Sequence, residues 1–334
     1  MNNSGKRSRK ALIPVLLLSL ALLVPGLSGC TGKTSGELKK VTVVLDWTPN
    51  TNHTGLYVAQ EKGYFKEEGL EVEIIQPTDT ADAMVASGSA HFGVSYQESV
   101  TLGRASGVPL VSLAAVIQHN TSGFASLKEK NILSAKDFEG KKYGGWGSDI
   151  EAATIKYLMD QEGADFTKTE VLSTGEADFF QASASGQIDY AWIFEAWAGI
   201  EAKQKGIELN YIDLGEVAPV FDYYTPVLVT REKLIEEDSA LVKAFMNAVK
   251  KGYAFAIEKP EEAADILIKA VPEINGELVK ESQAYLADKY KDDAPYWGYQ
   301  SREVWQNYTD WLFENGFIEE SIDVEKAYTN AYVE

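Results

Sequence analysis

The sequence predicts an α/β protein in which one domain is interrupted by a second. Short apolar strands alternate with helical patterns from residue 41 to about residue 120, and a second such series runs to about residue 220. The rest is mostly helical, apart from a strand-like run at residues 227–230. We therefore expect a first lobe at residues 41–121 and 225–334, with a second lobe inserted at 122–224.

The strand and helix patterns indicate sheets dominated by parallel strands. Predicted strands in the first series lie at residues 41–47, 71–76, 91–95 and 110–118, and in the second at 141–144, 169–172, 190–194 and 209–213. Helical patterns between them lie at residues 56–62, 79–87, 99–106, 150–162, 177–183 and 196–205. The last four predicted helices lie at residues 239–258, 261–270, 276–290 and 302–315.

The N-terminal residues have the pattern of an export signal. A basic start (Lys6, Arg7, Arg9, Lys10) precedes an apolar run at residues 11–24 that is short for a membrane span. Leu-Ser-Gly-Cys at residues 27–30 matches a bacterial lipobox, which predicts a lipoprotein signal peptide at 1–29, lipidation of Cys30 and a polar tether at 30–40. The alternative is an ordinary cleaved signal with a chance cysteine. Cys30 is the only cysteine of the chain, so an intramolecular disulfide is excluded.

The chain is strongly acidic, with a formal net charge of −19, and removal of the basic leader would make it more negative. This argues against a nucleic-acid partner and against a basic membrane-binding surface. Most of this charge is expected to be solvated surface, so it does not identify a ligand.

The turn at residues 45–57 joins a strand to a helix. It contains Trp47, Asn50 and His53. In open α/β folds, ligands bind at the carboxyl ends of the strands, so this turn is a candidate ligand contact. The alternative is an ordinary connector with polar turn residues.

A glycine-rich turn at residues 144–149 contains Trp146 and leads into a predicted helix. A helix N-terminus can bind phosphate, yet this turn lacks both the Lys-Ser/Thr ending of a P-loop and the GxGxxG spacing. Neighbouring glycines give an indole ring little shelter, so we expect Trp146 to stack on a ligand rather than to pack in a core.

Glu195 follows a buried-looking strand and is flanked by aromatic residues. It either caps the next helix or accepts hydrogen bonds from an amine or amino-heterocycle, and the residues alone leave both interpretations open.

The aromatic pair Tyr223 and Tyr224 lies at the second crossover between lobes, where a cleft would close. The three histidines have no metal-binding spacing, and no nucleophile elbow is present, so neither a metal site nor a catalytic motif is predicted.

The runs DWTPNTNHTGLY (residues 46–57) and GYFKEEGL (63–70), with the later GGWGS turn and Ile-Phe-Glu at 193–195, resemble the thiamine-pyrimidine (NMT1/THI5-like) substrate-binding proteins of ABC importers. The resemblance covers essentially the whole mature chain. It implies a type II periplasmic-binding-protein fold with two α/β lobes and a two-stranded hinge. The GYF-type run is shared with binders of nitrate, sulfonates, taurine and riboflavin, so it indicates the fold only.

By this resemblance, Glu195 would accept hydrogen bonds from an aminopyrimidine held between the lobes. Aromatic rings would stack on it, and Asn50 and His53 would supply polar contacts. The implied contact set is Trp47, Asn50, His53, Tyr96, Trp146, Gly147, Glu195, Tyr223 and Tyr224. None is Lys or Arg, which favours a neutral or cationic flat ring over a sulfonate or nitrate.

The expected protein is therefore a monomeric lipid-anchored receptor, without cofactor or metal, that delivers a formyl-aminomethylpyrimidine to the permease and ATPase subunits of an ABC importer. Riboflavin or another flat heterocycle is the alternative ligand. The family also contains a fungal pyrimidine synthase, but by this resemblance Ser95 stands at the position of that enzyme's cofactor lysine. This departure argues against an enzyme.

Overall fold

The computed structural model describes residues 37–175 and 178–334. The predicted signal peptide, Cys30 and most of the tether lie outside these residues. The described chain contains ten strands and twelve α-helices, joined by turns and short 3-10 segments.

The strands are β1 (Lys39–Val44), β2 (Leu70–Ile75), β3 (Phe92–Ser95), β4 (Leu110–Ala115), β5 (Ser122–Leu127), β6 (Lys142–Gly145), β7 (Glu170–Ser173), β8 (Tyr190–Phe194), β9 (Leu209–Asp213) and β10 (Val227–Arg231). The helices are α1 (Thr54–Glu61), α2 (Tyr64–Glu67), α3 (Ala81–Ser87), α4 (Gln97–Ala105), α5 (Asp149–Gln161), α6 (Phe179–Ala184), α7 (Ile200–Gln204), α8 (Leu214–Val217), α9 (Glu232–Glu258), α10 (Pro260–Ala270), α11 (Gly276–Lys289) and α12 (Arg302–Glu314).

The strands form two five-stranded sheets with the orders β2-β1-β3-β10-β4 and β7-β6-β8-β5-β9. The first sheet thus takes strands from residues 39–115 and 227–231, and the second takes strands from 122–213. Two α/β lobes, one inserted in the other, are what the sequence predicted. The exact boundaries at residues 121, 122, 224 and 225 stay a prediction.

Both sheets are mixed rather than purely parallel. In the first, β10 runs antiparallel to β3 and to β4; in the second, β5 runs antiparallel to β8 and to β9. The sequence pattern did not predict strand β5, although this strand is internal to its sheet. Its small residues explain the omission: Gly123 is a poor strand former, yet a Cβ at this position would meet the carbonyl oxygen of Ile212 at 2.2 Å.

Each lobe has its own apolar core. In the first lobe, Phe92 on β3 stacks on Phe245 of α9 at a centroid distance of 3.8 Å. In the second, Phe138 stacks on Tyr190 of β8 at 4.2 Å. Buried rings therefore fix the helices to the sheets that carry the site.

Helix α12 contributes to both cores. Its Trp305 packs in a first-lobe cluster, whereas Tyr308, Trp311 and Leu312 pack in the second-lobe cluster. The Trp311 ring lies 5.0 Å from that of Phe221. The C-terminal helix, predicted as part of the first lobe, is therefore an additional connection between the lobes.

The two crossover segments lie side by side. The side-chain amide of Asn120 donates to the carbonyl oxygen of Phe221 at 2.8 Å, and its backbone N–H donates to Asp222 Oδ1 at 2.8 Å. The backbone and the side chain of Asn120 thus both form hydrogen bonds from one crossover segment to the other. Within the described residues, the helices are too short or too polar to traverse a lipid bilayer.

Candidate functional site

The turn after β1 is built by the side chain of Asn50. Its Oδ1 accepts the N–H of Asn52 at 2.8 Å, capping the 3-10 segment Thr51–His53, and its Nδ2 donates to the carbonyl oxygen of Thr48 at 3.0 Å. An Asn at this position satisfies backbone groups that the start of a helix leaves free. Both polar atoms of the buried Asn50 side chain therefore have partners within the turn.

His53 lies beneath this turn and is fully buried. Its Nδ1 accepts the backbone N–H of Asn50 at 3.1 Å, and its Nε2 lies 2.6 Å from Asp46 Oδ1. Because Nδ1 is an acceptor, the ring proton resides on Nε2 and is donated to Asp46. His53 thus positions a carboxylate, and neither ring nitrogen is left for a ligand.

Asp46 is a site residue that sequence analysis missed. Its carboxylate accepts from His53 and, at Oδ2, from the Tyr96 hydroxyl at 2.9 Å. Burial favours a raised pKa for Asp46, but the hydrogen bonds from His53 and Tyr96 outweigh it and hold the pKa below its usual value. Asp46 is therefore an ionised group fixed by two donors.

Tyr96 reaches Asp46 from the N-terminus of α4 and is half-buried. Burial first, and the adjacent Asp46 charge second, raise the pKa of the Tyr96 hydroxyl. The phenol therefore stays protonated and remains a donor. The structure brings Tyr96 together with His53, as members of one network centred on Asp46.

Two indole rings meet at the edge of the second sheet. Trp146 is 52% exposed, and its ring lies 6.4 Å from that of Trp192 at an angle of 58°. The Trp192 Nε1–H donates to Ser122 Oγ at 2.8 Å, which orients that ring. In the first lobe Trp47 is 46% exposed. Exposed indoles on both lobes are available to cover a flat ligand.

The glycine-rich turn before α5 encloses a carboxylate of the protein itself. Glu151 Oε2 accepts the N–H groups of Gly147 and Ser148 at 2.9 and 2.8 Å, and Oε1 accepts that of Trp146 at 3.1 Å. The Tyr143 hydroxyl also donates to Oε1. The donors that could have bound a phosphate are thus taken by Glu151, a second residue that sequence analysis did not identify.

Glu195 links the two lobes. It begins a π-helical segment, Glu195–Gly199, and its Oε2 accepts the hydroxyl of Tyr285 on α11 at 3.0 Å. Within the described residues, its Oε1 has no hydrogen-bond partner. A carboxylate can accept several donors, so Glu195 retains capacity for a ligand.

The crossover tyrosines are engaged by the protein. Tyr223 stacks on Tyr308 at 4.2 Å, and the Tyr224 hydroxyl accepts the backbone N–H of Ser301 at 2.7 Å. Both side chains are buried. The structure therefore gives them packing roles at the hinge, and we do not include them in the proposed contact set.

An ion-pair network lies beside them at the hinge. His119 Nδ1 lies 2.6 Å from Asp222 Oδ2, and its Nε2 lies 3.2 Å from Asp293 Oδ1. Asp292 is adjacent, so three potential metal ligands come within 4.8 Å of one another. Both imidazole nitrogens face carboxylates, and ion pairing accounts for the arrangement without a metal.

Two surface depressions of about 600 Å³ occur in the described part of the chain. One borders Glu195 and Tyr211; the other lies between Tyr57 and Glu273 in the first lobe. Neither includes the exposed indoles, Trp47 and Trp146. The first includes Glu195, a predicted site residue, so we centre the site there; Lys128 and Lys203 also line it.

The electrostatics of the site are one-sided. Asp46, Glu98, Glu151 and Glu195 form no ion pair with Lys or Arg in residues 37–175 and 178–334. Burial raises the pKa of Glu98, the Tyr308 hydrogen bond opposes this, and the charge of Glu151 raises it further. Glu98 and Glu151 belong to different lobes, and each carboxylate accepts a hydrogen bond from a tyrosine hydroxyl of the protein.

Residues 50–263 match the family model described as NMT1/THI5 like, which covers more than half of the chain. The chain belongs to the NMT1/THI5-like family. This confirms the family resemblance identified in the sequence.

Three relatives of this NMT1/THI5-like protein have different described functions. A formylaminopyrimidine-binding protein of Halalkalibacterium halodurans is 31% identical, covering 94% of this chain and 98% of the relative. A 4-amino-5-hydroxymethyl-2-methylpyrimidine phosphate synthase of Legionella pneumophila is 25% identical, covering 88% and 92%. The riboflavin-binding protein RibY of Chloroflexus aurantiacus is 25% identical, covering 89% and 86%.

Solved structures identify the fold. The alkanesulfonate-binding protein SsuA of Xanthomonas axonopodis pv. citri superposes with a TM-score of 0.67 at 13% identity, covering 88% of this chain and 99% of that one. The fold is the two-lobed periplasmic-binding fold, as predicted. At this sequence identity, the structural similarity establishes the fold but does not identify the ligand.

Proposed function

We propose that this NMT1/THI5-like protein is an extracytoplasmic solute-binding protein of an ABC importer, and that it captures a thiamine-precursor aminopyrimidine of the formyl-aminomethylpyrimidine type. The observation that carries the proposal is the combination of exposed indole rings with carboxylates that have no Lys or Arg partner. The named function of the Halalkalibacterium halodurans relative supports the same ligand class.

The chemistry of such a ligand fits these groups. A flat pyrimidine gains apolar burial by stacking on Trp146 or Trp47, and its amino group can donate to Glu195. Asp46, held by His53 and Tyr96, offers a second acceptor in the other lobe. Lys128 and Lys203 also line the depression beside Glu195, so the preference for an amino-heterocycle over a sulfonate or nitrate rests on the exposed indoles and on the acceptors Glu195 and Asp46.

Glu195→Gln tests the proposed acceptor. Replacing the charge by an amide should weaken aminopyrimidine binding by about 1.5–3 kcal/mol, the scale of one charged hydrogen bond. Isothermal titration calorimetry of the purified protein measures this directly.

Glu201→Gln is the matched control, because Glu201 lies on the same stretch but pairs with Lys205 at 2.8 Å on the surface. A surface pair of this kind contributes little, so ligand affinity should be unchanged. Equal affinities of the wild type and Glu195→Gln would remove Glu195 from the site.

A riboflavin receptor is the second candidate, favoured by the RibY relative and by the exposed indoles. Denaturing the protein as purified and identifying the released small molecules by mass spectrometry separates the two. An aminopyrimidine supports the first candidate, whereas a yellow flavin supports the second.

We propose no catalytic activity. One relative is a synthase, but the position expected for the cofactor lysine is occupied here by Ser95, a buried residue at the end of β3. A serine hydroxyl cannot form a Schiff base. Pyridoxal phosphate bound covalently to the purified protein would overturn this assignment.

Membrane anchorage through Cys30 and delivery to permease and ATPase subunits complete the proposal. A radiolabelled fatty acid supplied to the producing cells should label the wild type and not Cys30→Ser, since the acyl chains are attached at this cysteine. Equal labelling of the variant would contradict lipidation at Cys30.

A further inference from the structure

The buried carboxylate of Glu151 occupies an anion-binding arrangement. Three consecutive backbone N–H groups, those of Trp146, Gly147 and Ser148, converge on its two oxygens at 2.8–3.1 Å, just before helix α5 begins. Loops of this kind at helix N-termini bind phosphate in other proteins. Here the anion is a side chain of the chain itself, with only 4% of Glu151 exposed.

The surrounding residues leave space for this carboxylate. A Cβ at Gly145 would lie 2.1 Å from Glu151 Oε1, so the glycine is required for the carboxylate to enter. Gly147 has a φ of +90°, a conformation that turns successive N–H groups toward one point. The Tyr143 hydroxyl supplies a fourth donor from β6.

A helix cap alone does not account for these contacts. A capping box requires only that Glu151 accept the N–H of Ser148, the N-cap residue of α5. The bonds from Trp146, Gly147 and Tyr143 are additional. They bind the carboxylate to the exposed Trp146 loop, where the proposed ligand stacks.

We infer that Glu151 is a specificity-determining residue that makes this cleft reject phosphate-bearing ligands while admitting their unphosphorylated counterparts. The inference rests on the proposed function for its ligand class. A phosphate at this loop would find its backbone donors already bonded and would face a like charge.

The test compares two ligands that differ by one group: 4-amino-5-hydroxymethyl-2-methylpyrimidine and its phosphate monoester. Calorimetry on the wild type should give weaker binding of the ester by about 10- to 100-fold, the equivalent of one charged hydrogen bond. Glu151→Gln keeps the size of the side chain and removes its charge. In that variant the ratio between the two affinities should fall at least several-fold.

Asp137→Asn is the matched control. Asp137 forms the same kind of capping box with Ser134, accepting the N–H groups of Leu133 and Ser134 at 2.9 and 3.1 Å, at a different helix start in the same lobe. Loss of the Asp137 charge should leave the ratio of the affinities for the two ligands at the wild-type value. A change of the ratio in Asp137→Asn equal to that in Glu151→Gln would overturn the inference, because the effect would then be one of stability.

Inorganic phosphate gives a readout that does not depend on the pyrimidine. At matched ionic strength with chloride as reference, phosphate should raise the melting temperature of Glu151→Ala, in which the three N–H groups are free, and leave that of the wild type unchanged. A wild type that binds neither pyrimidine removes the proposed function, and the phosphate response of Glu151→Ala then decides the inference alone. Equal binding of the ester and the alcohol by the wild type, or no phosphate response in Glu151→Ala, overturns it.

Discussion

In the first lobe, a backbone N–H group determines which ring nitrogen of buried His53 carries the proton that is donated to Asp46. The N–H of Asn50 occupies Nδ1, so the single ring proton is directed at Asp46. The sequence singled out His53 as a ligand contact because of its position in the turn. The structure instead makes His53 the residue that orients Asp46, whose side chain is only 7% exposed.

Substitution of Trp146 tests whether its ring stacks on the ligand. Because half of its surface is already exposed, Trp146→Ala should cost the ligand-free protein little stability while removing a stacking surface from the ligand. Affinity for the aminopyrimidine should fall by about 1.5–3 kcal/mol, the usual scale for burying an aromatic ring. Calorimetry measures the affinity, and thermal unfolding of the ligand-free protein measures the stability.

Leu133→Ala is the control for this substitution, since Leu133 is a large exposed side chain of the same lobe outside the site. It should alter neither quantity. A large loss of ligand-free stability in Trp146→Ala would mean that the ring packs in the protein core.

Carboxylates were the residues hardest to recognise in the sequence. With 50 Asp and Glu residues in the chain, neither Asp46 nor Glu151 stands out by type or spacing. Their roles depend on groups that only the fold brings near, such as Tyr96 for Asp46 and Tyr143 for Glu151. By contrast, Trp146 was recognisable because an indole among glycines is unusual.

At the scale of elements, the two crossover segments are joined by the His119 network. The hydrogen bond to Asp222 raises the pKa of His119 to about 9; burial opposes this, and the charges of Asp222 and Asp293 add to it. At neutral pH the ring is therefore a cation between two carboxylates. The two crossover segments are therefore joined by a partly exposed ion pair.

The pH dependence of stability tests this network. The pKa of His119 is 6.5 in the unfolded chain and about 9 in the folded one, so the network stabilises the protein fully below pH 6.5 and loses its effect as the pH rises through 9. His119→Gln should be less stable than the wild type at pH 6 and equal to it by about pH 10. Urea denaturation at several pH values measures the difference, which is small because the ring is partly exposed.

Asp293→Asn should reproduce only part of this effect, because Asp293 is more exposed than Asp222 and lies farther from the ring. A difference between wild type and His119→Gln that persists unchanged at pH 10 would show that charge is not its cause.

Most helices and strands were predictable because apolar periodicity and turn residues define them, as for β8, which has the predicted bounds. Strand β5 was not, because Ser122, Gly123, Ala125 and Ser126 give no β signal. These small residues are buried, and at Gly123 the close backbone of β9 leaves no room for a Cβ. Tertiary packing therefore determines this strand more than local preference does.

At the scale of the whole molecule, helix α12 joins the cores of the two lobes. Trp311 packs on Phe221 and Tyr157 of the second lobe, at centroid distances of 5.0 and 6.4 Å. Closure of the cleft must therefore be accommodated by α12 as well as by the two crossover segments. The simple picture of two lobes on a two-stranded hinge is incomplete for this chain.

Trp311→Ala tests the importance of that contact. Loss of a buried Trp should lower the free energy of unfolding by about 3–5 kcal/mol, measured by urea denaturation. Phe313→Ala is the control on the same helix, because Phe313 is largely exposed, and its change should stay within about 0.5 kcal/mol. Equal losses in the two variants would refute a special role for the Trp311 face.

The same helix has a consequence for how the polypeptide is made. The inserted lobe needs Tyr308, Trp311, Leu312 and Ile318 to complete its core. These residues are translated after helices α9, α10 and α11, well downstream of the inserted lobe. The inserted lobe therefore cannot reach its final packing until they have been made.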